Sequence, residues 1–407
     1  MNDVTCRVCG SAELKQFFDL GKQPYANALR KTKDQEEVLY PLALVYCTAC
    51  SLVQLGYTAD PKELFSEYVW VTGTSKRAHE HAETFYREYK SRVPGTHTGY
   101  VLEIASNDGT FLLPFQRNGH AVLGVDPAKN IVAQANKDGI PTEAEFFGET
   151  YVRGLLKREG PASFVFARNV LPHVVNTVDF VRGVRAIMNE DAVCAIEFHY
   201  AGTILEELHY DSIYHEHLCY FTLRTMERLL RDNGLFVYDV FESPISGGSL
   251  VVYAAKKSVA ETDALRVYRS RETEKGINNY PAWEMFRERS CVHRDAIRET
   301  LFDMKKKGER VVGYGASARS STLLNFCDID DTVIAVIADA NPLKQGLYTA
   351  GTHIPITSPE KAMAEDPSCI ILLGWNFADE IMEYVKKIYG YRGSYYVPLP
   401  GMPRLIK

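Results

Sequence analysis

The stretch from His209 to Phe221, H-Y-D-S-I-Y-H-E-H-L-C-Y-F, carries three histidines, two acids and three tyrosines. Imidazole exchanges protons near neutral pH and a phenol donates to a developing oxyanion, so the stretch reads as a reaction centre. As an extended strand, I-Y-H-E-H sends Tyr214 and Glu216 to one side and His215 and His217 to the other, whereas a loop frees them all. Two other readings share these residues. H-E-H spaces two imidazoles so that a strand could aim both at one ion, although the H-E-x-x-H of helical zinc proteases is absent. A solvated polar loop needs no chemistry at all.

The elements that would position this stretch start at Tyr100, where apolar runs begin to alternate with helical segments, the pattern of a doubly wound α/β sheet. Y-V-L-E-I-A-S-N-D-G is a buried strand entering a turn of small residues, and A-V-L-G-V-D-P is the next strand, so Glu103 and Asp126 end consecutive strands. Ligands of open α/β sheets bind there, and an acid ending the second strand suits two ribose hydroxyls. The turn lacks a full G-x-G-x-x-G, which favours a ligand with an adenosine and no diphosphate, such as S-adenosylmethionine. Glu145 and Phe146 in A-E-F-F could bracket an adenine. F-V-F-A-R-N-V-L-P-H-V brings Arg168, Asn169 and His173 to the same rim, and A-V-C-A-I-E-F-H-Y adds Glu197 and His199. T-L-R-T-M-E-R-L-L-R-D-N-G is an amphipathic helix closed at Gly234. L-F-V-Y-D-V-F-E and S-L-V-V-Y-A-A-K follow as a terminal hairpin whose turn holds Gly247, Gly248 and Ser249.

Ahead of this unit, Cys6-Arg-Val-Cys9 and Cys47-Thr-Ala-Cys50 form two knuckles, the sulfur set of a closed, structural zinc site. Helical spacing follows Tyr68 and Trp70, with His79, His81, Phe85 and Tyr89 in register. Lys256 to Lys307 is charged and helical, broken at Pro281. From Arg310 a second α/β unit begins, and Gly313, Gly315 and Ala318 satisfy G-x-G-x-x-A with Asp339 ending the next strand. On spacing alone that is a dinucleotide fingerprint, and an NAD(P)-dependent oxidoreductase is the rival reading. It leaves the Glu103 turn and the tyrosine-histidine cluster without a task.

The 407 residues are enough for two or three domains, and 46% hydrophobic content is globular. No apolar run reaches the ~18 residues of a membrane span, and the polar N-terminus lacks a signal core, so a cytoplasmic protein is expected. A net charge of −6 with interspersed signs gives no basic stripe for nucleic acid.

With those segments in order, the whole chain resembles the sugar C-methyltransferases, which methylate a carbon of a nucleotide-linked ketosugar in deoxysugar biosynthesis. The four-cysteine module, E-I-A-S-N-D-G, N-V-L-P-H-V, Y-H-E-H, the G-G-S turn, G-Y-G-A-S-A-R, A-N-P-L-K-Q-G and L-L-G-W-N-F carry the likeness. It implies a zinc module (1–72), a class I methyltransferase domain (73–265) and a Rossmann-like nucleotide-sugar domain (266–407). It further implies His217, Tyr214, Glu216, Tyr68 and His173 as catalytic residues. Glu103, Ala105, Asn107, Asp108, Asp126, Glu145, Phe146 and Asn169 would hold S-adenosylmethionine, and Gly248, Ser249, Tyr314, Ser317, Arg319 and Asp339 the substrate. The resemblance implies a 4-ketosugar substrate, with dTDP linkage and methylation at C-3 as the first expectation and C-5 as the other carbon left open. Arg319 replaces a lysine common in the family and Ser246 a histidine, changes that bear on which nucleotide and sugar fit. A monomer is the first expectation, and the quaternary state is left open.

Overall fold

The computed structural model describes residues 4–65, 71–74, 76–93, 99–243 and 247–407. The central sheet has seven strands ordered Phe236–Ser243, Ser249–Ala255, Met188–His199, Ala162–Arg168, Val101–Ile104, Val122–Val125 and Thr142–Glu143. Neighbours from Thr142–Glu143 through Met188–His199 are parallel, and Ser249–Ala255 runs antiparallel between Met188–His199 and Phe236–Ser243. This is the doubly wound sheet with a terminal hairpin of class I methyltransferases. Val101–Ile104 and Ala162–Arg168 are apolar without alternation because helices cover both faces. Helix Leu223–Asp232 starts at a Thr222 cap, and Gly234 takes φ 77° just beyond its end.

Leu14–Gln23, Tyr40–Cys47 and Val53–Leu55 form an antiparallel sheet beside the cysteine knuckles. Its fourth strand comes from far along the chain: Cys219–Tyr220, directly after the reaction-centre stretch, pairs with Val53 and Gln54. The C-terminal sheet is parallel over Ile356–Thr357, Ile337–Ala338, Val311–Tyr314, Cys369–Leu372 and Ser394–Val397, with antiparallel Arg404–Ile406 at its edge. Helices Asp263–Glu274 and Tyr280–Lys306 connect the two larger sheets. Pro281 sits in the first turn of the second helix, where its missing N–H is harmless, so it starts that helix. The N-terminal module also touches the C-terminal unit, since Arg30 N donates to the Tyr348 carbonyl (2.9 Å) and Gly351 N to Glu37 (3.0 Å). Among the described residues no helix is long and apolar enough to cross a membrane.

Candidate active site

The turn after Val101–Ile104 holds Ala105, Asn107 and Gly109 at φ 56°, 51° and 78°. For Ala105 and Asn107 this left-handed backbone is strained, and Asp126 pins it by accepting from Asn107 N and Ala128 N, each at 2.9 Å. Asn107 Oδ1 in turn accepts from Thr72 N (2.9 Å), and Asp108 from Gly73 N (2.7 Å), which straps the 71–74 segment onto the turn. A side chain at Gly73 would meet the Asp108 carboxylate at 2.6 Å, so any larger residue there must displace the carboxylate that the strap is tied to.

Glu103 is buried, its Oε2 has no hydrogen-bond partner, and burial raises its pKa well above the usual carboxyl range. Ser106 Oγ is equally buried and unpartnered. Orphaned polar atoms at a strand end are what a ribose or an amino-acid group would satisfy, so the turn fits S-adenosylmethionine. Glu145 and Phe146 stand exposed after the strand Thr142–Glu143. Asn169, at φ 51°, donates its N–H to the Glu197 carbonyl (2.8 Å) and closes the other side of the rim.

Glu197, fully buried, accepts from Arg168 Nε (2.7 Å) and Ser243 Oγ (2.6 Å) and lies 3.4 Å from His81 Nε2. Burial alone pushes this carboxyl up, but Arg168, His81 and Ser243 outweigh it and bring it down to about 2. It therefore braces the rim as an anion, tied to Arg168, Ser243 and His81. Arg168→Met leaves that anion buried and less compensated, and we expect a loss of roughly 3–5 kcal/mol in denaturant melts at pH 7. Because the folded pKa is depressed, the stabilisation is full above the ordinary 4.5 and fades as pH falls through about 2.

The reaction-centre stretch is a turn, not an extended strand. Its closure by His217 N donating to the Tyr214 carbonyl (2.9 Å) folds Tyr214 and His217 onto one side, with ring centroids 4.0 Å apart. His217 Nδ1 lies 2.8 Å from the Ser212 carbonyl, which can only accept, so Nδ1 carries the proton and Nε2 is a lone pair. That lone pair receives the Tyr214 hydroxyl at 2.7 Å. Burial, His173 and Arg319 push the His217 pKa well down, against the Ser212 carbonyl, and keep the ring neutral. His173 stacks edge-on to His217 with centroids 4.8 Å apart, and its own pKa falls to about 4 through burial.

The other two ionisable members of Y-H-E-H face the N-terminal module. His215 packs among Tyr25, Tyr40 and Tyr57. Glu216 accepts from Asn27 Nδ2 at 2.6 Å, and burial, partly offset by that bond, raises it to about 7. Tyr68 and Ser246 lie outside the described residues.

From the C-terminal unit, Arg319 grips the Asp211 carboxylate through Nε (3.0 Å) and Nη2 (2.9 Å) and stacks on Trp375. Gly247 lies against this group, since a side chain there would meet His209 and Trp375 at 3.2 Å. The Gly248 carbonyl accepts from Tyr200 N (3.3 Å), and Ser249 pairs with His199. Tyr314 is buried and pushed up to about 12, and Ser317 caps the helix Ala318–Cys327. Asp339 accepts from Ala316 N and Asn341 N, both at 2.8 Å, which fixes the glycine turn. Sequence reasoning missed Asp211, Trp375 and Asn27 as members of the site, although Trp375 could have been suspected from its place just past a parallel strand.

The four cysteine sulfurs lie within 4.8 Å of one another. A tetrahedron with Zn–S bonds of ~2.3 Å sets sulfurs about 3.8 Å apart, and Cys6–Cys50 and Cys9–Cys47 stand at 3.4 and 3.6 Å, so the set fits zinc. Gln54 locks the first knuckle, accepting from Arg7 N and donating to the Thr5 carbonyl.

Residues 6–65 match the family described as "Putative zinc binding domain", 78–240 "Methyltransferase domain" and 244–400 "C-methyltransferase C-terminal domain". C-methyltransferase NovU of Streptomyces niveus is 32% identical over 405 residues, covering 98% of this chain and 96% of the relative. The chain belongs to the C-methyltransferase family. This C-methyltransferase uses S-adenosylmethionine as methyl donor and carries zinc in its N-terminal module. Solved structures similar to it include a Synechocystis PCC 6803 magnesium protoporphyrin IX methyltransferase with bound SAH, at 14% identity and TM-score 0.34, over 44% of this chain and 83% of that one. A Pyrococcus horikoshii OT3 protein is also 14% identical, at TM-score 0.37, over 49% of this C-methyltransferase and 100% of that chain.

Proposed function

We propose that the enzyme C-methylates a nucleotide-linked 4-ketosugar, dTDP-linked and at C-3, through an enolate formed by His217, within deoxysugar biosynthesis. The observation that carries this reading is the Tyr214–His217 pair, a neutral imidazole with its lone pair fixed on a phenol. Carbon becomes nucleophilic only where an adjacent carbonyl stabilises its anion, so such a reaction needs a base and an oxyanion donor side by side. His217 Nε2 takes the proton alpha to the ketone, and the Tyr214 hydroxyl turns from Nε2 to the enolate oxygen. The Ser212 carbonyl holds the imidazolium that results. His173 packs the base in place, and Tyr68 is proposed as a second donor to the enolate.

S-adenosylmethionine supplies the electrophile, a methyl group on a sulfonium. Glu103, Ser106 and the Asp126-pinned turn, with Ala105, Asn107, Asp108 and Asn169 around it, would hold it, while Glu145 and Phe146 flank its adenine. The C-terminal parallel sheet, with Tyr314, Ser317 and Asp339 at its glycine turn, takes the nucleotide, and Gly248 and Ser249 border the sugar. The test is mass spectrometry of a panel of nucleotide-linked 4-ketosugars incubated with methyl-labelled donor. A carbon-bound label on a 4-ketosugar is expected; label on oxygen or nitrogen only, or on none of the panel, sinks the proposal.

A further inference from the structure

Three donors from the C-terminal unit converge on one buried carboxylate in the reaction-centre turn. Asp211, 1% exposed, accepts from Arg319 Nε and Nη2 and from Trp375 Nε1 at 2.7 Å. The next residue is Ser212, whose carbonyl sets the His217 tautomer. On either side the turn is held by uncharged bonds, Tyr210 Oη with His293 Nδ1 (2.9 Å) and the Ile213 carbonyl with Thr322 Oγ1 (2.8 Å). Asp211 is thus the charged anchor of this turn, and charge-assisted bonds in a dry site are the strong ones.

The two residues that supply these donors do not come from arbitrary places. Arg319 lies in the first turn of helix Ala318–Cys327, just after the glycine turn, and Trp375 lies just past strand Cys369–Leu372. Their loops touch, with Gly374 N donating to the Tyr314 carbonyl (3.0 Å), at the carboxyl ends of adjacent parallel strands, the crevice where such sheets bind ligands.

We propose that Asp211 is the positioning residue through which the C-terminal domain sets the geometry of the base, its grip on Arg319 and Trp375 holding Ser212 O against His217 Nδ1. This rests on His217 acting as the base. A nucleotide seated in the crevice acts on Arg319 and Trp375, and through Asp211 it acts on the chemistry. Losing the grip lets the imidazole shift, and a misplacement near 1 Å costs on the order of 10²-fold in rate.

The test measures exchange of the alpha hydrogen of a nucleotide-linked 4-ketosugar in heavy water, together with kcat and KM. Asp211→Asn is expected to slow exchange and kcat by about 10²-fold with KM changed less than about threefold. Trp375→Phe keeps the ring against Arg319 and removes one donor, so a smaller loss of the same kind is expected, about three- to tenfold. Exchange at the wild-type rate in a folded Asp211→Asn, or a loss confined to KM, overturns the proposal. Should Asp211→Asn not fold, Trp375→Phe decides, and unchanged exchange overturns it. If His217→Asn keeps wild-type exchange, the base reading fails as well; wild-type exchange in both Asp211→Asn and Trp375→Phe sinks only the coupling.

Discussion

His217→Asn is expected to abolish washout of the alpha hydrogen from a 4-ketosugar in heavy water and to cut turnover by about 10²–10⁴-fold, the usual range for a general base. Calorimetric affinity for S-adenosylmethionine should hardly change, because the Glu103 turn is pinned by Asp126 and the 71–74 segment, whereas His217 is held by Ser212 and Tyr214. The substitution leaves Tyr214 its hydroxyl but removes the lone pair that fixes it. The pH dependence follows from the same geometry. Burial, His173 and Arg319 hold the folded His217 below its ordinary 6.5, so the basic form persists as pH falls and the acid limb of kcat/KM belongs below 6.5. Full washout in His217→Asn would take this residue out of the base role.

The second large effect is expected at a distance from the chemistry. Cys47→Ser, or stripping by a strong chelator, should lower zinc from one per chain to none and unfold the N-terminal module. Structural zinc contributes apparent free energies of about 10–16 kcal/mol in small zinc-finger peptides, and here it ties the Cys6–Cys9 knuckle to the Cys47–Cys50 knuckle between two strands of the sheet. The loss should reach the active site by two routes. Cys219–Tyr220 would lose its strand partner, and Glu216 would lose Asn27. Turnover should fall at least about tenfold, and amide hydrogens of Val53–Leu55 and Cys219–Tyr220 should lose exchange protection together. A zinc-free chain that keeps that protection and full turnover contradicts this account.

Much of this architecture could be read from local chemistry. Apolar runs ending in Glu103, Arg168 and Glu197 gave parallel strands because a strand covered on both faces has nowhere to place polar residues. The paired C-x-x-C knuckles announced their metal because few other demands place four thiols that way. What escaped was whatever depended on distant partners. Alternation along I-Y-H-E-H separates Tyr214 from Glu216's neighbours, yet the turn unites Tyr214 with His217 and hands Glu216 to Asn27, 189 residues away in sequence. Glu197 could be placed on the rim but not paired, since its partners His81 and Ser243 sit on elements whose docking no spacing reveals. Asp211 was visible as one acid of a dense stretch, and only the fold shows that Trp375, 164 residues later, claims it.

The shared strand also sets an order of events on the ribosome. Gln54 must wait for Cys219, some 165 residues downstream, before its sheet is complete. At about 5–20 residues per second that is an interval of roughly 8–30 s, during which the nascent Val53–Leu55 edge has no neighbour. Metal loading of the knuckles can come first, leaving a small ordered body with one sticky margin. The earliest-made sheet is therefore closed only once the reaction-centre turn has been synthesised, and a chaperone able to shield that margin would act while His173, Tyr214 and His217 are still being made.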